Sequence, residues 1–348
     1  MRIAIIGQQA FGKSVFEAFL ARGDEVAGVF CAPEKPGARP DPLRQAAEAA
    51  NIRVLQLPSL KTPEAEQALR ALDVDLAVMA YVLQFAPQSF VNIPRHGTIQ
   101  YHPSLLPLHR GPSSINWPLI LGSKQTGLTI FRPTDGLDEG PILLQKTVTI
   151  GPDDTVGSVY FDHLFPLGVA AMLEAADLVV AGRHTEIPQD ESIATYEGWC
   201  RDAETGINWH SPVQAVYNLI RGCIPAPGAW TTVHGRKVRI LEARKHIARR
   251  FADVAGRPGE ITSIGPESIV VATQGGSVEV LKVRVEGGEK SSAAAFCTAF
   301  GLVTGSRLNV PAAPPTAAHA PATAALAPVP APEPTRQIAP HAKETEPA

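Results

Sequence analysis

The sequence predicts an α/β fold with a largely parallel sheet in the first part of the chain, followed by a small β-barrel-like module and a disordered tail. Strand and helix patterns alternate from Arg2 to Tyr81. Parallel strands need a crossover connection, usually a helix, so this alternation indicates a parallel sheet. After Ile207, short strands separated by glycine turns take over. We therefore predict three regions, 1–203, 204–308 and 309–348.

The first region opens with a βαβ unit, in which the apolar runs Arg2 to Ile6 and Glu25 to Phe30 flank the helical spacing of Phe11 to Arg22. The elements predicted next are a helix at Pro42 to Asn51, a strand at Val54 to Leu57, a helix at Pro63 to Leu72, strands at Leu76 to Tyr81 and Gly97 to Tyr101, and a helix at Ser113 to Leu121.

A hairpin and a helical stretch complete the first region. The loop Thr134 to Gly140 separates two apolar runs, Leu128 to Phe131 and Ile142 to Val148, which predicts an antiparallel pair. Thr155 is a typical helix N-cap. Proline interrupts a helix, so we predict one helix from Thr155 to Phe165, a break at Pro166 and a second helix at Val169 to Ala181.

The second region combines one helix with several short strands. They are a helix at Pro212 to Ile220 and strands at Thr231 to Val233, Lys237 to Glu242, Gly259 to Ile264, Ile269 to Ala272 and Val278 to Val285. Short strands joined by glycine turns are typical of a small β-barrel. After Leu308, Pro and Ala dominate and no apolar periodicity remains, so we expect a disordered tail.

The composition restricts the class of protein. A formal net charge of −3 over 348 residues gives no overall basic field for nucleic acid. The apolar run Leu76 to Leu83 is shorter than the roughly 18 residues that span a bilayer, and the amino terminus lacks signal-peptide features. We therefore expect a cytoplasmic protein without a membrane segment. The four cysteines are scattered singly, which predicts reduced structural thiols and no zinc site.

One motif suggests phosphate binding. Gly7 to Ser14 fits the pattern G-x-x-x-x-G-K-S between a predicted strand and a predicted helix. A nucleotide loop also needs a second strand that ends in an acidic metal ligand. The strands end near Cys31, Leu57 and Tyr81, and none of them supplies an aspartate beside the loop. We interpret the motif as a tight glycine turn with Lys13 on a solvated helix face.

The strongest candidate for catalysis is a histidine with a distant carboxylate. His102 follows a predicted strand, where open α/β sheets place their ligand crevice. Asp138 lies in the hairpin loop, which could fold back over the strand ends. An imidazole beside a carboxylate is suited to acid–base chemistry near neutral pH. By spacing alone, a structural histidine and an ordinary Asp-Gly turn remain open, and His96 and His109 are interpreted as loop residues.

At these residues the chain resembles the 10-formyltetrahydrofolate-dependent formyltransferase family. The shared motifs are His-x-Ser-Leu-Leu-Pro at His102 to Pro107 and Asp-x-Gly at Asp138 to Gly140. The chain is most similar to the amino-terminal hydrolase domain of the 10-formyltetrahydrofolate dehydrogenases, and it also resembles methionyl-tRNA formyltransferases. The resemblance implies a Rossmann-like formyltransferase fold, catalytic roles for His102 and Asp138, and no metal.

The resemblance also implies a binding site for 10-formyltetrahydrofolate, with tetrahydrofolate as the product. Gln84, Phe85 and Ala86 match the loop that holds the pterin ring. The family's opening has a similar Gly-Gln and Phe-Gly without a functioning nucleotide loop. Gln100 departs from the family, because the transferases carry asparagine there and the hydrolase domain an aliphatic residue. A glutamine can still donate a hydrogen bond to an oxyanion, so we include Gln100 as a catalytic candidate.

Three functions stay open from the sequence. The first is hydrolysis of the formyl group. The second is transfer to an amine such as methionyl-tRNA or an amino-sugar nucleotide, in which Arg221, Arg236, Lys237 and Arg239 could form a docking surface. The same four residues are equally consistent with an ordinary solvated face. The third is folate binding without catalysis. No nicotinamide site or phosphopantetheine serine can be assigned, so we do not expect this chain to oxidise the formyl group. The oligomeric state stays undetermined.

Overall fold

Two β-sheets organise the residues that the computed structural model describes, 1–250 and 253–309. The strands of the first sheet are β1 (Arg2–Gly7), β2 (Glu25–Phe30), β3 (Val54–Leu55), β4 (Leu76–Ala80), β5 (Thr98–His102), β6 (Gln125–Phe131) and β7 (Ile142–Thr149). Their order is β3-β2-β1-β4-β5-β6-β7. The pairs from β3 to β5 are parallel, whereas β6 is antiparallel to both neighbours. The largely parallel Rossmann-like sheet is confirmed.

Helices cover both faces of this sheet. They are α1 (Gln9–Arg22), α2 (Pro42–Ala49), α3 (Pro63–Arg70), α4 (Gln88–Val91), α5 (Asn116–Leu121), α6 (Val156–Ser158) and α7 (Phe165–Val180). Alternate residues of β1 enter different cores: Ile3 and Ile5 pack with residues of α1 and α7, whereas Ala4 and Ile6 pack with residues of α3 and α4. A strand buried on both faces is apolar throughout, as the sequence of β1 is.

The predicted break at Pro166 is wrong. Thr155 and Ser158 form a reciprocal capping box, and the helix then runs without interruption from Val156 to Val180. Val159–Leu164 is a π-helical segment immediately before α7, which has Pro166 in its first turn. A π-type turn shifts the hydrogen-bond ladder by one residue, so the missing N–H of proline is accommodated without ending the helix.

The length of this continuous helix is relevant to the prediction that the chain has no membrane-spanning segment. Val156 to Val180 is long and apolar enough to cross a bilayer, judged by length and composition alone, and the sequence analysis did not identify it. Its buried residues, including Leu164, Ala171 and Met172, pack in the core of the first sheet. Such packing is typical of the core helix of an α/β domain, and the absence of a membrane segment stays a prediction.

The second sheet lies in the carboxy-terminal part. Its strands are β8 (Trp230–Val233), β9 (Arg236–Ile247), β10 (Ile261–Ile264), β11 (Ile269–Thr273), β12 (Gly276–Val285) and β13 (Lys290–Ser292), accompanied by the helices α8 (Val213–Arg221) and α9 (Ala293–Phe300). The order is β10-β11-β12-β9-β8, with β13 beside β12. β9 continues past its predicted end at Glu242 because it pairs with β12 through Ile247. β13 and α9 were not predicted.

The last described residues bring the two edges of this sheet together. The Leu308 N–H donates to the carbonyl of Gly259, next to β10, and the Asn309 N–H donates to the carbonyl of Thr232 in β8. The segment therefore gives the domain its barrel-like character. Asn309, which we had assigned to the tail, belongs to this closure, and the rest of the predicted disordered tail lies outside the described residues.

The four cysteines lie in the described part of the chain, where all are buried and none forms a disulfide. Burial raises the pKa of Cys31 to about 12. Cys200 and Cys223 lie in the same buried cluster of the second region, and the neighbouring Cys200 thiol together with burial raises the pKa of Cys223. Their burial agrees with the structural role predicted for them.

Candidate active site

A cavity of about 680 Å³ opens at the carboxyl ends of β1, β4 and β5. Gln9 after β1, Tyr81 after β4 and His102 at the end of β5 all line it. Strand order reverses direction along the chain at β1 and β4, and open α/β sheets bind ligands at such a switch point. The sheet topology alone therefore determines where this cavity lies.

His102 is fixed at the end of β5. Because side chains alternate along a strand, Gln100 and His102 lie on one face of β5. Ile99 and Tyr101 lie on the other face, in the core beside α1 and α7. The His102 Nε2 atom lies 2.9 Å from the His109 carbonyl oxygen. A carbonyl only accepts hydrogen bonds, so Nε2 carries a proton and Nδ1 is the nitrogen that can exchange one.

The loop after β5 is anchored to the hairpin β6–β7. Thr129 donates its hydroxyl proton to the carbonyl of Ser104 at 2.7 Å and accepts from the N–H of Leu106 at 3.1 Å. Gln145 donates to the carbonyl of Leu106 at 2.8 Å. These contacts with buried strands fix the loop that presents the His109 carbonyl to His102.

Asp138 reaches His102 from the hairpin loop. Its Oδ2 lies 3.6 Å from His102 Nδ1 and accepts a hydrogen bond from the Gly111 N–H at 2.9 Å. Both side chains are buried, with 7% of His102 and 8% of Asp138 exposed. A separation of 3.6 Å exceeds the length of a normal hydrogen bond, so His102 Nδ1 and the Asp138 carboxylate can each still form a hydrogen bond with a reacting molecule. The sequence analysis proposed that these two residues lie close together, and they do, although 36 positions of the chain separate them.

The other acidic residues of the hairpin loop point elsewhere. Asp135 accepts a hydrogen bond from the Gln88 N–H at 3.0 Å. Glu139 is half exposed and lies 4.0 Å from Arg110. Asp138 is therefore the carboxylate of this loop that faces His102, as predicted.

The predicted pterin-binding loop lines the same cavity. Gln84, Phe85 and Ala86 follow β4 and form part of its wall, together with Gln100. The Gln84 side-chain amide donates to the Leu57 carbonyl at 2.8 Å, so that side chain supports the loop. Phe85 is 42% exposed, and Lys61 Nζ lies 4.5 Å from its ring centroid. All six predicted site residues thus line one cavity, while their roles stay predictions.

Aromatic residues that the sequence analysis missed complete the wall. Tyr160 and Phe161 come from the π-helical segment, and Trp199 comes from the segment between α7 and α8. Burial raises the pKa of Tyr160 to about 12. No local pattern marks a π-type turn, and π-bulges are frequent at functional sites. An isolated tryptophan between two helices was the one available signal for Trp199.

In the loop that fits the phosphate-binding pattern, Gly7 to Ser14, a carboxylate binds where a phosphate would. Both Asp41 oxygens accept from the Gln9 N–H, at 3.0 and 2.9 Å, at the start of α1. A phosphate would need this position. Gly7 is required because a side chain there would collide with the Ala80 carbonyl of β4. Lys13 is exposed and lies 3.6 Å from Glu17. The glycine-turn interpretation agrees with this geometry. Asp41 comes from the loop before α2 and not from a strand end, and the sequence analysis did not identify it.

The predicted basic docking surface is largely engaged within the chain. Arg221 is 3% exposed and donates to the carbonyls of Gly151 and Asp154, so its assignment to a surface is wrong. Arg221 is the last residue of α8, one position beyond the predicted helix end at Ile220, and it lies on a buried face of that helix. Lys237 and Arg239 both pair with Asp202. Arg236 lies over the ring of Phe300.

Metal ions in proteins are usually held by His, Cys, Asp and Glu side chains. Within residues 1–250 and 253–309, no group of three or more of these residues is placed to hold a metal ion.

Comparisons with known proteins decide the family. Residues 1–174 match the family described as "Formyl transferase", and residues 200–301 match "Formyl transferase, C-terminal domain". The chain belongs to the formyl transferase family. This confirms the resemblance inferred from the motifs at His102 and Asp138.

Two relatives with curated names are similar to the chain over most of its length. It is 40% identical over 308 residues to cytosolic 10-formyltetrahydrofolate dehydrogenase of Mus musculus, covering 85% of this chain and 34% of the relative. It is 35% identical over 315 residues to methionyl-tRNA formyltransferase of Geobacter sulfurreducens, covering 89% of this chain and 97% of the relative. The chain thus spans about a third of the dehydrogenase and nearly all of the transferase.

HypX from Aquifex aeolicus, solved in complex with tetrahydrofolic acid, has a similar fold. Its TM-score is 0.62 at 19% identity, covering 86% of this chain and 47% of that chain. At this identity the likeness concerns the fold.

Proposed function

We propose that this formyl transferase family member removes the formyl group of 10-formyltetrahydrofolate by hydrolysis, giving tetrahydrofolate and formate. The observation that carries the proposal is the approach of His102 and Asp138 to 3.6 Å in a cavity that also includes Gln84 to Ala86. Relatives named for 10-formyltetrahydrofolate chemistry and a structural neighbour bound to tetrahydrofolic acid support the choice of substrate.

The proposed reaction begins with the attack of water on the formyl carbon. Asp138 accepts a proton from the attacking water, and the new C–O bond produces a tetrahedral oxyanion. Nδ1 of His102 and the side-chain amide of Gln100 donate hydrogen bonds to that oxygen. The bond from the formyl carbon to N10 then breaks while His102 donates a proton to N10. Asp138 then passes the proton taken from water to Nδ1 of His102, and the formic acid released loses its proton to the solvent as formate.

The charge of the cavity supports water as the nucleophile. Of the residues that line it within the described chain, Asp138 is the one carboxylate, and none is Lys or Arg. Acceptors such as tRNA and nucleotide sugars carry phosphates, which proteins bind with Arg, Lys or helix amino termini. The amino terminus of α1, which lies at the cavity, already binds the Asp41 carboxylate.

One observation favours transfer to methionyl-tRNA as a second candidate. The chain matches 97% of the length of the methionyl-tRNA formyltransferase of Geobacter sulfurreducens, including its carboxy-terminal part. In this alternative, the methionyl amine replaces water as the nucleophile. Amino-sugar nucleotides are a further acceptor class to test.

The test is an incubation of purified protein with 10-formyltetrahydrofolate, alone and with each acceptor, in which tetrahydrofolate formation is measured. The proposal predicts turnover without an acceptor and no more than twofold stimulation by one. Turnover that requires methionyl-tRNA or an amino-sugar nucleotide would favour transfer. Binding of the folate without turnover would indicate a non-catalytic protein.

A further inference from the structure

Gln189 joins the two loops that hold His102 and Asp138. It lies between α7 and α8, and its Oε1 accepts from Arg110 Nε and Nη2 at 3.2 and 2.8 Å. Its Nε2 donates to the carbonyl oxygens of Asp138 and Gly140 at 2.8 and 2.7 Å. A guanidinium only donates and a carbonyl only accepts, so this amide orientation is dictated by chemistry.

Arg110 connects Gln189 to the residues beside the candidate catalytic pair. On one side of Arg110 the His109 carbonyl accepts from His102, and on the other side the Gly111 N–H donates to the Asp138 carboxylate. The buried guanidinium is also bound by both oxygens of Glu191, at 2.9 and 2.6 Å. A closed ring of contacts results. Gly111 is hydrogen-bonded to the Asp138 carboxylate, its chain neighbour Arg110 is hydrogen-bonded to Gln189, and Gln189 is hydrogen-bonded back to the Asp138 carbonyl.

Asp138 needs such support because its φ is +56°, in the left-handed region that non-glycine residues seldom adopt. Two carbonyls of its turn are held by a single donor group, Gln189 Nε2. Gln189 does not itself line the cavity. Its contacts therefore act on the orientation of Asp138 and not on the substrate.

We infer that Gln189 is a positioning residue, which holds the Asp138–Gly140 backbone so that the Asp138 carboxylate stays beside Nδ1 of His102. The inference rests on the proposed function. Small displacements of a reacting group reduce rates strongly, so loss of Gln189 should reduce kcat roughly ten- to a hundredfold. The KM for 10-formyltetrahydrofolate should change less than twofold, because Gln189 touches no cavity surface.

Two variants of Gln189 and one matched control test this role. Gln189→Ala removes all four contacts. Gln189→Glu keeps an acceptor oxygen for Arg110 but places its other oxygen against the carbonyls of Asp138 and Gly140, so it should lose kcat and have a lower Tm, while its circular dichroism spectrum stays that of the folded protein. Gln214 is also half-buried, and its amide donates to Asn218 in α8. Gln214→Ala should leave kcat and KM unchanged.

A double-mutant cycle separates positioning from general stabilisation. If Gln189 acts through Asp138, Gln189→Glu should lower kcat no further in an Asp138→Asn background, measured under single-turnover conditions. Two results would overturn this inference and leave the proposed function intact. One is a wild-type kcat in Gln189→Glu, and the other is a double variant whose fold-loss of kcat equals the product of the two single losses. Wild-type activity of Asp138→Asn would overturn the proposed mechanism and this inference with it.

Discussion

The His109 carbonyl oxygen lies 2.9 Å from His102 Nε2, and this contact determines which ring nitrogen of His102 faces Asp138. With Nε2 bound to the backbone, Nδ1 points to the carboxylate 3.6 Å away. The loop after β5 therefore determines the orientation of the imidazole in the candidate catalytic pair.

The first prediction concerns this pair. His102→Ala and Asp138→Ala should each lower kcat by about 10²- to 10⁴-fold, the usual cost of losing a positioned acid–base group. Both variants should keep the wild-type circular dichroism spectrum. His210→Ala, an exposed histidine of the second region, is the control and should retain full activity. Either pair variant turning over at the wild-type rate would remove that residue from the mechanism.

The second prediction concerns the pterin. The exposed ring of Phe85 at the cavity offers a flat surface to a heterocycle, and aromatic pairs contribute about 0.5–1.5 kcal/mol. Phe85→Ala should therefore raise the KM for 10-formyltetrahydrofolate roughly two- to tenfold, with a smaller change in kcat. Leu121→Ala, at an exposed position outside the cavity wall, should leave KM unaltered. An unchanged KM in Phe85→Ala would argue against a pterin site at this loop.

The third prediction concerns the phosphate-loop pattern. The Asp41 carboxylate occupies the amino terminus of α1, and Lys13 pairs with Glu17 on the surface. Lys13→Ala should therefore leave kcat and KM unchanged, and calorimetry should detect no binding of ATP with Mg²⁺. Measurable ATP binding, abolished by the Lys13 substitution, would restore the nucleotide-loop interpretation.

The fourth prediction is a pH dependence of stability. The Asp41 N–H donates a hydrogen bond to the Glu34 carboxylate, and the side chains of Gln56 and Arg44 make smaller contributions. Together they lower the pKa of Glu34 from 4.5 to about 2, although burial acts to raise it. A carboxylate whose pKa is lowered on folding contributes stability above its unfolded pKa, and the contribution is lost as the pH falls through the folded value. The Tm difference between the wild type and Glu34→Gln should therefore be largest near pH 6.

That difference should shrink continuously from about pH 4.5 toward pH 2. Exposed Glu289→Gln is the control and should show no such trend. A Tm difference for Glu34→Gln that stays constant, or grows, as the pH falls would contradict the assigned cause of the shift.

Local patterns were sufficient for much of the fold, and they made His102 and Asp138 candidates that the family resemblance then favoured. The alternation of apolar strands and amphipathic helices predicted the parallel sheet, and Thr155 identified a helix start that the structure confirms. His102 was found because the end of a parallel strand is a ligand-binding position in any such sheet. Asp138 was found because a hairpin loop must return toward the sheet.

Other features depend on contacts that no local pattern encodes. Asp41 binds the start of α1 from 32 positions away, and the two loops around Asp138 and Arg110 meet through Gln189. The π-helical turn before Pro166 makes a continuous helix where proline predicted a break. Arg221 is buried and donates to the carbonyls of Gly151 and Asp154, which its charge alone did not indicate.

Attack of water on the formyl carbon in the cavity of His102 and Asp138 can be observed by isotope labelling. The protein is incubated with 10-formyltetrahydrofolate in H₂¹⁸O without any acceptor, and the products are analysed by mass spectrometry. We expect tetrahydrofolate and formate in equal amounts, with one ¹⁸O in each formate, and loss of both products in His102→Ala. Absence of labelled formate from the active wild-type protein would contradict attack by water.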